Sequence, residues 1–570
     1  MTKRAKSDGN ALMPAGVSLE GFWVHLGSAS LSTHQQIAKS LAACVGSKAN
    51  QVKLLPEAAG TRPREVLLLT QPGAWTSSAA CWDTVRTLQQ QIGVLDAEPL
   101  FASPGVEPAP EVQHEWLSIE ERPKPVAKSG GDKRPLPCAA SNAQWHLEAV
   151  FAPEAWLLKP PAGGLRQGEG IVIGHPDTGY THHPEIWDPT PATRRVLPDL
   201  GYNFKEGKKD PADLMNGSFP GHGTGTASVI MSPPGGPGAS FVTGTAPMAK
   251  IVPIRVSDSV IHFSFANTTQ AIYHAVDVAG AHVISMSLGG PFKSRALESA
   301  IAYAISQGVI VLAAAGNVWP WVVYPARFES VIALAATNCQ SKPWSDSASG
   351  SAVDLSAPGE SVWRARAVQA NNGLKATVEP GSGTSFAVAT TAGACASWLA
   401  FHGRDALIAR YGKPNLAAVF RSLLVQAVNT PSSGWDKSNY GTGILDMRQL
   451  LNAPLPSLPK KLAKKSPAIV QHSQIDALKG YFPDIPGKKA AAGASKFAKR
   501  VPKGVTAKTD TRTDFDEFLF HVATNPKLRS VLRADWSGKV KKKAGSADVT
   551  SIAAKTLHDP SRALLAWLGK

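Results

Sequence analysis

Apolar residues are spaced along this chain in two different rhythms. Over the first hundred positions, short mixed runs trade places with helical spacing. "GFWVHLG" (Gly21 to Gly27), "QVKLLPE" (Gln51 to Glu57), "REVLLLTQ" (Arg64 to Gln71) and "VLDAEPLF" (Val94 to Phe101) predict strands. "STHQQIAKSLAACVG" (Ser32 to Gly46) and "CWDTVRTLQQQIG" (Cys81 to Gly93) predict helices. The order is βαββαβ, a small ferredoxin-like α+β domain over residues 18–101. A stretch rich in Pro, Gly and charge then predicts a linker over 102–143.

From 144 to 453 the rhythm changes. The runs "IVIGHPD", "AKIVPIRV", "AHVISMSLGG", "QGVIVLAAAGN" and "SVIALAATN" are apolar without alternation, as strands buried on both faces are. Helical stretches such as "QAIYHAVDVAGA" and "RALESAIAYAISQG" lie between them, which predicts an α/β fold on a doubly wound, mostly parallel sheet. Chemistry in such sheets collects at the carboxyl ends of the strands. At those ends, and at the mouths of the helices behind them, stand Asp177, His222 between two glycines, the edge "SLGG" (Ser287 to Gly290), Asn317 and Ser385.

Each has a bland reading. Asp177 could cap a turn, His222 could be a plain first residue of a helix, and Ser385 could be the N-cap of the apolar run that follows it. Taken together they are an acid, a base, an amide donor and a hydroxyl. Acyl transfer by serine needs that set.

Asp-Thr-Gly at 177–179, Gly-His-Gly-Thr at 221–224 and Gly-Thr-Ser at 383–385 occur in the order Asp, His, Ser. In this the chain resembles the subtilisin-like serine peptidases. "QWHLEAVFAPEAW" (Gln144 to Trp156) resembles the opening of their mature enzyme, and "YGTGILDMRQLL" (Tyr440 to Leu451) its close. The resemblance implies a subtilisin-like fold, with Ser385 as nucleophile, His222 as base and Asp177 orienting it, while Asn317 and the Ser385 amide hold the oxyanion. It implies substrate binding by Ser287, Leu288 and Gly289, which would pair with the substrate backbone as an added strand, and by Ala315 and Gly316. It also makes residues 18–101 a propeptide that chaperones and then inhibits the enzyme, a zymogen arrangement. A polypeptide is the implied substrate and no cofactor is needed for the chemistry; structural calcium is open and unassigned. Four positions depart from the family pattern: Phe386 stands where Met is usual, Ala389 where Pro is usual, and His175-Pro176 replace aliphatic residues before the acid.

Charge alters this picture only at the end of the chain. The net charge is +16, and residues 454–570 hold 23 Lys and Arg against 9 Asp and Glu. That C-terminal extension reads as basic and partly helical, either solvated or docking to an anionic partner. An alternative function follows from it: a catalytically idle fold of the same family, serving as a binding module recruited through the tail. The five cysteines, Cys44, Cys81, Cys138, Cys339 and Cys395, are scattered and contain no CxxC pair, which argues against a disulfide framework and a zinc site. His175, His182 and His183 lack clustered Cys or carboxylates, so no metal site is expected there. No apolar leader follows the basic start and no transmembrane segment is seen, so the default expectation is cytoplasmic, with export by another route open.

Overall fold

The computed structural model describes residues 17–27, 31–45, 52–54, 64–70, 75, 77–102, 137–234, 242–262, 264–317, 319, 321–370, 373–431, 434–457, 511–536, 556–557 and 559–568. These fall into two compact units, one drawn from 1–121 and 485–570, the other from 122–484. Most of the expected linker and the Lys-rich stretches of the extension lie outside the described residues.

In the first unit, β1 (Ser18–Leu26), β2 (Val52–Leu54), β3 (Arg64–Leu69) and β4 (Val94–Ala102) form an antiparallel sheet in the order β2-β3-β1-β4. The crossovers are α1 (Leu31–Val45) and α2 (Ser78–Gln89). Phe22, Trp23 and Val24 on the central β1 and Val66, Leu67 and Leu68 on β3 are buried. The C-terminal extension adds helices to this unit. Its helices Thr511–Thr524 and Arg562–Trp567 pack on each other, and the first also packs on α2. Phe515, Phe518, Leu519, Phe520 and Val522 are buried there. Phe520 shares a core with Trp82 and Phe101 of the sheet domain.

The second unit holds a nine-stranded sheet in the order β14-β15-β11-β10-β9-β8-β5-β7-β6. Its strands are β5 (Val172–Asp177), β6 (Tyr202–Asn203), β7 (Lys250–Arg255), β8 (Val283–Met286), β9 (Ile310–Ala314), β10 (Ile332–Thr337), β11 (Leu355–Pro358), β14 (Val428–Asn429) and β15 (Ile444–Leu445). Every pair is parallel except β14 with β15. Helices α3 (His222–Met231) and α6 (Thr384–His402) pack on each other, and α6 crosses β8 to β11. On the other face, a Cβ at Gly174 would meet Ala275 of α4 (Ala266–Asp277), which itself packs against α5 (Arg295–Ser306). The sheet is doubly wound, and strand order turns at β5. Asp177 ends that strand, at the switch point where such sheets open a crevice.

Helix α6 is apolar all round because it is enclosed all round: every residue from Thr384 to Phe401 is buried. Among the described residues it alone is long and apolar enough to cross a membrane, and the whole of that window is buried inside the fold.

Two features escaped the sequence. A hairpin, β12 (Val362–Ala370) with β13 (Gly373–Gly381), precedes the turn into α6 and packs on α3. Cys138 and Cys339, 201 residues apart, form a disulfide. Scattered spacing concealed the pair, because only the fold brings the start of this unit to the loop after β10.

Candidate active site

The Asp-Thr-Gly turn and the Gly-His-Gly entry to α3 interlock through main chain. Gly179 has φ +105°, and a side chain on Gly223 would run into the Gly179 carbonyl. Glycine at 223 therefore lets the mouth of α3 approach the end of β5, and His222 comes to lie beside Asp177. The imidazole Nδ1 donates to Asp177 Oδ1 at 2.8 Å. Its Nε2 faces Ser385 Oγ at 3.1 Å. Three side chains from β5, α3 and α6 thus form one hydrogen-bonded row, with Asp177 fully buried and His222, in the middle, slightly exposed.

Asn317 is also held in place. Its Oδ1 accepts from the Thr384 amide (2.9 Å) and hydroxyl (2.7 Å), which leaves the Nδ2 amino group to donate elsewhere. The Ser385 amide sits in the first turn of α6, where helix geometry provides no acceptor. Two donors on one side of the hydroxyl are the arrangement that a developing oxyanion requires. Ala315 and Gly316 support it from behind: Ala315 accepts from Val323 N, and Gly316 is bonded to Thr384 Oγ1 and Ala348 N.

Burial opposes a charge on Asp177, but His222, the hydrogen bond to it, His175 and the Thr178 amide outweigh burial and hold the carboxyl below its ordinary value. His175 lies 3.7 Å from Asp177 Oδ2 and 3.0 Å from Thr226 Oγ1. It is wholly buried, and burial lowers its pKa in spite of Asp177. The acid therefore has a histidine at each oxygen.

Asp213 and Arg255 were missed by sequence reasoning. Asp213 Oδ2 accepts from Thr178 Oγ1 and from Gly221 N, both at 2.8 Å, and so joins the turn after the acid to the residue before the base. Arg255, fully buried at the end of β7, donates to Thr178 O at 2.5 Å and is paired with Glu206 and Asp258. No motif marks Asp213; the one available signal was an arginine ending an otherwise apolar strand.

Gly289, expected to pair with substrate, is already paired here: its amide donates to Val260 O (2.9 Å) and its carbonyl accepts from His262 N (2.8 Å). Gly290 is paired in both directions with Tyr324. Ser287 braces Ser385, its hydroxyl donating to Ser385 O at 3.1 Å, and Leu288 is buried. The lack of a side chain that suits glycine to substrate pairing suits it equally to this internal strap.

The three histidines near the acid have separate partners: His182 stacks on Trp187, His183 is bonded to Thr377 O, and His175 faces Thr226. Among the described residues no group of three or more His, Cys, Asp or Glu is placed to hold a metal ion.

Comparison with known proteins places this geometry in context. Residues 168–443, which contain all the positions above, match the subtilase family. Thermitase from Thermoactinomyces vulgaris is 32% identical over 279 residues, 49% of this chain and 89% of that protein. Subtilisin Savinase from Lederbergia lenta is 31% identical over 225 residues, 39% of this chain and 74% of that protein. Fervidolysin from Fervidobacterium pennivorans is similar in fold, with a TM-score of 0.52 and 22% identity over 78% of this chain and 62% of its own.

Proposed function

With the premise that the chain belongs to the subtilase family and is a subtilisin-like serine endopeptidase, we propose that Asp177, His222, Ser385 and Asn317 carry out the reaction. Ser385 Oγ attacks the scissile carbonyl carbon while its proton passes to His222 Nε2. The carbonyl oxygen becomes an oxyanion between Asn317 Nδ2 and the Ser385 amide. Collapse breaks the C–N bond, His222 gives its proton to the departing amine, and an acyl-enzyme remains. Water then repeats the sequence, losing a proton to His222 and releasing the carboxylic acid and free Ser385. Asp177 fixes the Nδ1–H tautomer and balances the imidazolium charge. The observation that carries this reading is the unbroken row from Asp177 Oδ1 through His222 to Ser385 Oγ, at 2.8 and 3.1 Å. It disfavours the idle binding module, which has no use for such a row.

A fluorophosphonate probe tests the proposal. The full-length protein should label on Ser385, and the Ser385→Ala protein should not. Labelling at another serine, or none in a protein that cleaves peptides, would overturn it.

The βαββαβ domain serves in this reading as propeptide, inhibitor and folding aid; the order of its strands supports that role. Polypeptide backbone would bind along Ser287 to Gly289 once residues 260–262 move aside. The surplus positive charge of the extension supports attachment to an anionic partner, which salt should weaken. The Cys138–Cys339 disulfide favours an oxidising compartment over the cytoplasmic default.

A further inference from the structure

The join between the N-terminal domain and the C-terminal helices is built from buried polar and aromatic groups. Arg86 on α2 reaches Asp514 Oδ1 at 2.6 Å and Glu517 Oε2 at 2.7 Å, and both carboxylates are buried. Glu517 is shared further, accepting from the amide and the hydroxyl of Ser561, each at 2.7 Å. At the start of α2, Asp559 Oδ2 accepts from Ser77 Oγ (2.8 Å) and Ala79 N (3.1 Å), while Ser78 Oγ donates to Asp559 O (2.9 Å). A carboxylate from the far end of the chain therefore completes the helix N-terminus. Between these polar anchors Phe520 stacks on Phe101 with ring centroids 4.4 Å apart, and Trp82 lies 6.0–6.2 Å from both. Gln89 and Thr513 bond at 2.9 Å at the other end of α2.

We propose that the C-terminal helices are the retaining partner of the N-terminal domain, so that a cut between 103 and 136 leaves this domain bound, and its release takes a second cut between 458 and 510. The proposal rests on the reading of that domain as an inhibitor and names how it is kept. Its logic is one of connectivity. The first unit is assembled from both ends of the chain, while the peptidase residues lie between them. Cutting the first connection removes one covalent link. The helices are still covalently continuous with the peptidase, and they hold the domain by contacts that a linker cut does not touch. Parting them would expose Trp82, Phe101 and Phe520 and break the ion pairs of Arg86 with Asp514 and Glu517; separating buried ion partners is strongly unfavourable. The peptidase keeps its own new start for a separate reason, because Cys138 is bonded to Cys339. Removal of the inhibitor by a single cleavage, the simplest route to an active enzyme, is closed by this architecture.

The test uses the full chain with Ser385→Ala, so that no self-cleavage intervenes, and with a recognition sequence for an unrelated site-specific protease inserted within 103–136. After complete cutting, the N-terminal fragment should co-elute with the remainder on size exclusion. Separate elution of the two would overturn the proposal outright, with no variant needed. In the same background Arg86→Ala and Glu517→Ala should each release the fragment on cutting, with circular dichroism of the uncut variants checking that they fold. If cut samples of both retained it, the tether would lie elsewhere and the assignment to the C-terminal helices would fall. Failure of the inhibitor reading would show differently, as full peptide turnover by the intact, uncut enzyme carrying Ser385.

Discussion

Two buried carboxylates, one in each unit, show how the same physics serves different ends. Asp177 and Glu517 are both sealed from water, and in both burial opposes the charge while neighbouring partners restore it and lower the pKa. Glu517 is committed on every side: to Arg86, to Ser561 and, at 3.9 Å, to His521. Asp177 has one partner that leads onward, since the far nitrogen of His222 faces the Ser385 hydroxyl. A closed network holds a structure together. An open-ended one can pass a proton.

The comparison can be broken most decisively at Ser385. Ser385→Ala should lower peptide turnover by about six orders of magnitude, the loss known for subtilisin when the row acts as a unit. A variant keeping a tenth of the activity would show that the open end is somewhere else. Next in size is Asn317→Ala, for which kcat should fall roughly 100- to 1,000-fold at nearly constant KM, as a donor to the oxyanion alone requires. A loss seen mainly in KM would place Asn317 on substrate instead.

Stability measurements sharpen the closed side. Cys138→Ser should destabilise the peptidase unit by about 2–5 kcal/mol, because the bridge closes a long loop; an unchanged melting curve under non-reducing conditions would count against the bond. Glu517 has a depressed folded pKa, so its contribution is fully present above its ordinary value of 4.5 and is lost as pH falls through the lower folded value. Arg86 and the nearby Asp83, Asp514 and His521 share this environment. As pH falls below 4.5, hydrogen-exchange protection relative to the intrinsic rate should therefore weaken in 511–524, and in Glu517→Gln that pH dependence should flatten. Equal steepness in the two proteins would remove Glu517 from the account.

The smallest effect is expected at the strap. His262→Pro deletes the amide that Gly289 O accepts, and one such hydrogen bond is worth about 0.5–1.5 kcal/mol. KM for an extended peptide should fall about two- to tenfold, with a short ester substrate unaffected. A KM that rises or stays level would mean that residues 260–262 do not obstruct the edge.

Much of this site was legible because its residues are bound to local backbone features. Asp177 follows an apolar run, His222 lies between glycines that permit close approach, and Ser385 opens a helix whose faces are all apolar. Asp213, Thr226 and the strap 260–262 carry no such mark. They act through contacts made only when distant segments meet, and nothing in their own neighbourhood distinguishes them from ordinary loop or helix residues. His175 was visible as a departure from an aliphatic pattern, yet its role facing the second oxygen of the acid depends on Thr226, 51 positions away.

Hydrophobic patterning by itself determined the elements of the small N-terminal sheet and the apolar central strands of the large one, because period and burial are local consequences of which residues are apolar. The ordered acid, base and hydroxyl likewise determined the class of chemistry. Only the tertiary structure decided that Cys138 meets Cys339, that Gly289 is already paired, and that the last sixty residues complete a domain begun in the first hundred. These are pairings between segments far apart in the chain, and a buried charge or aromatic ring selects its partner by geometry that linear spacing does not encode.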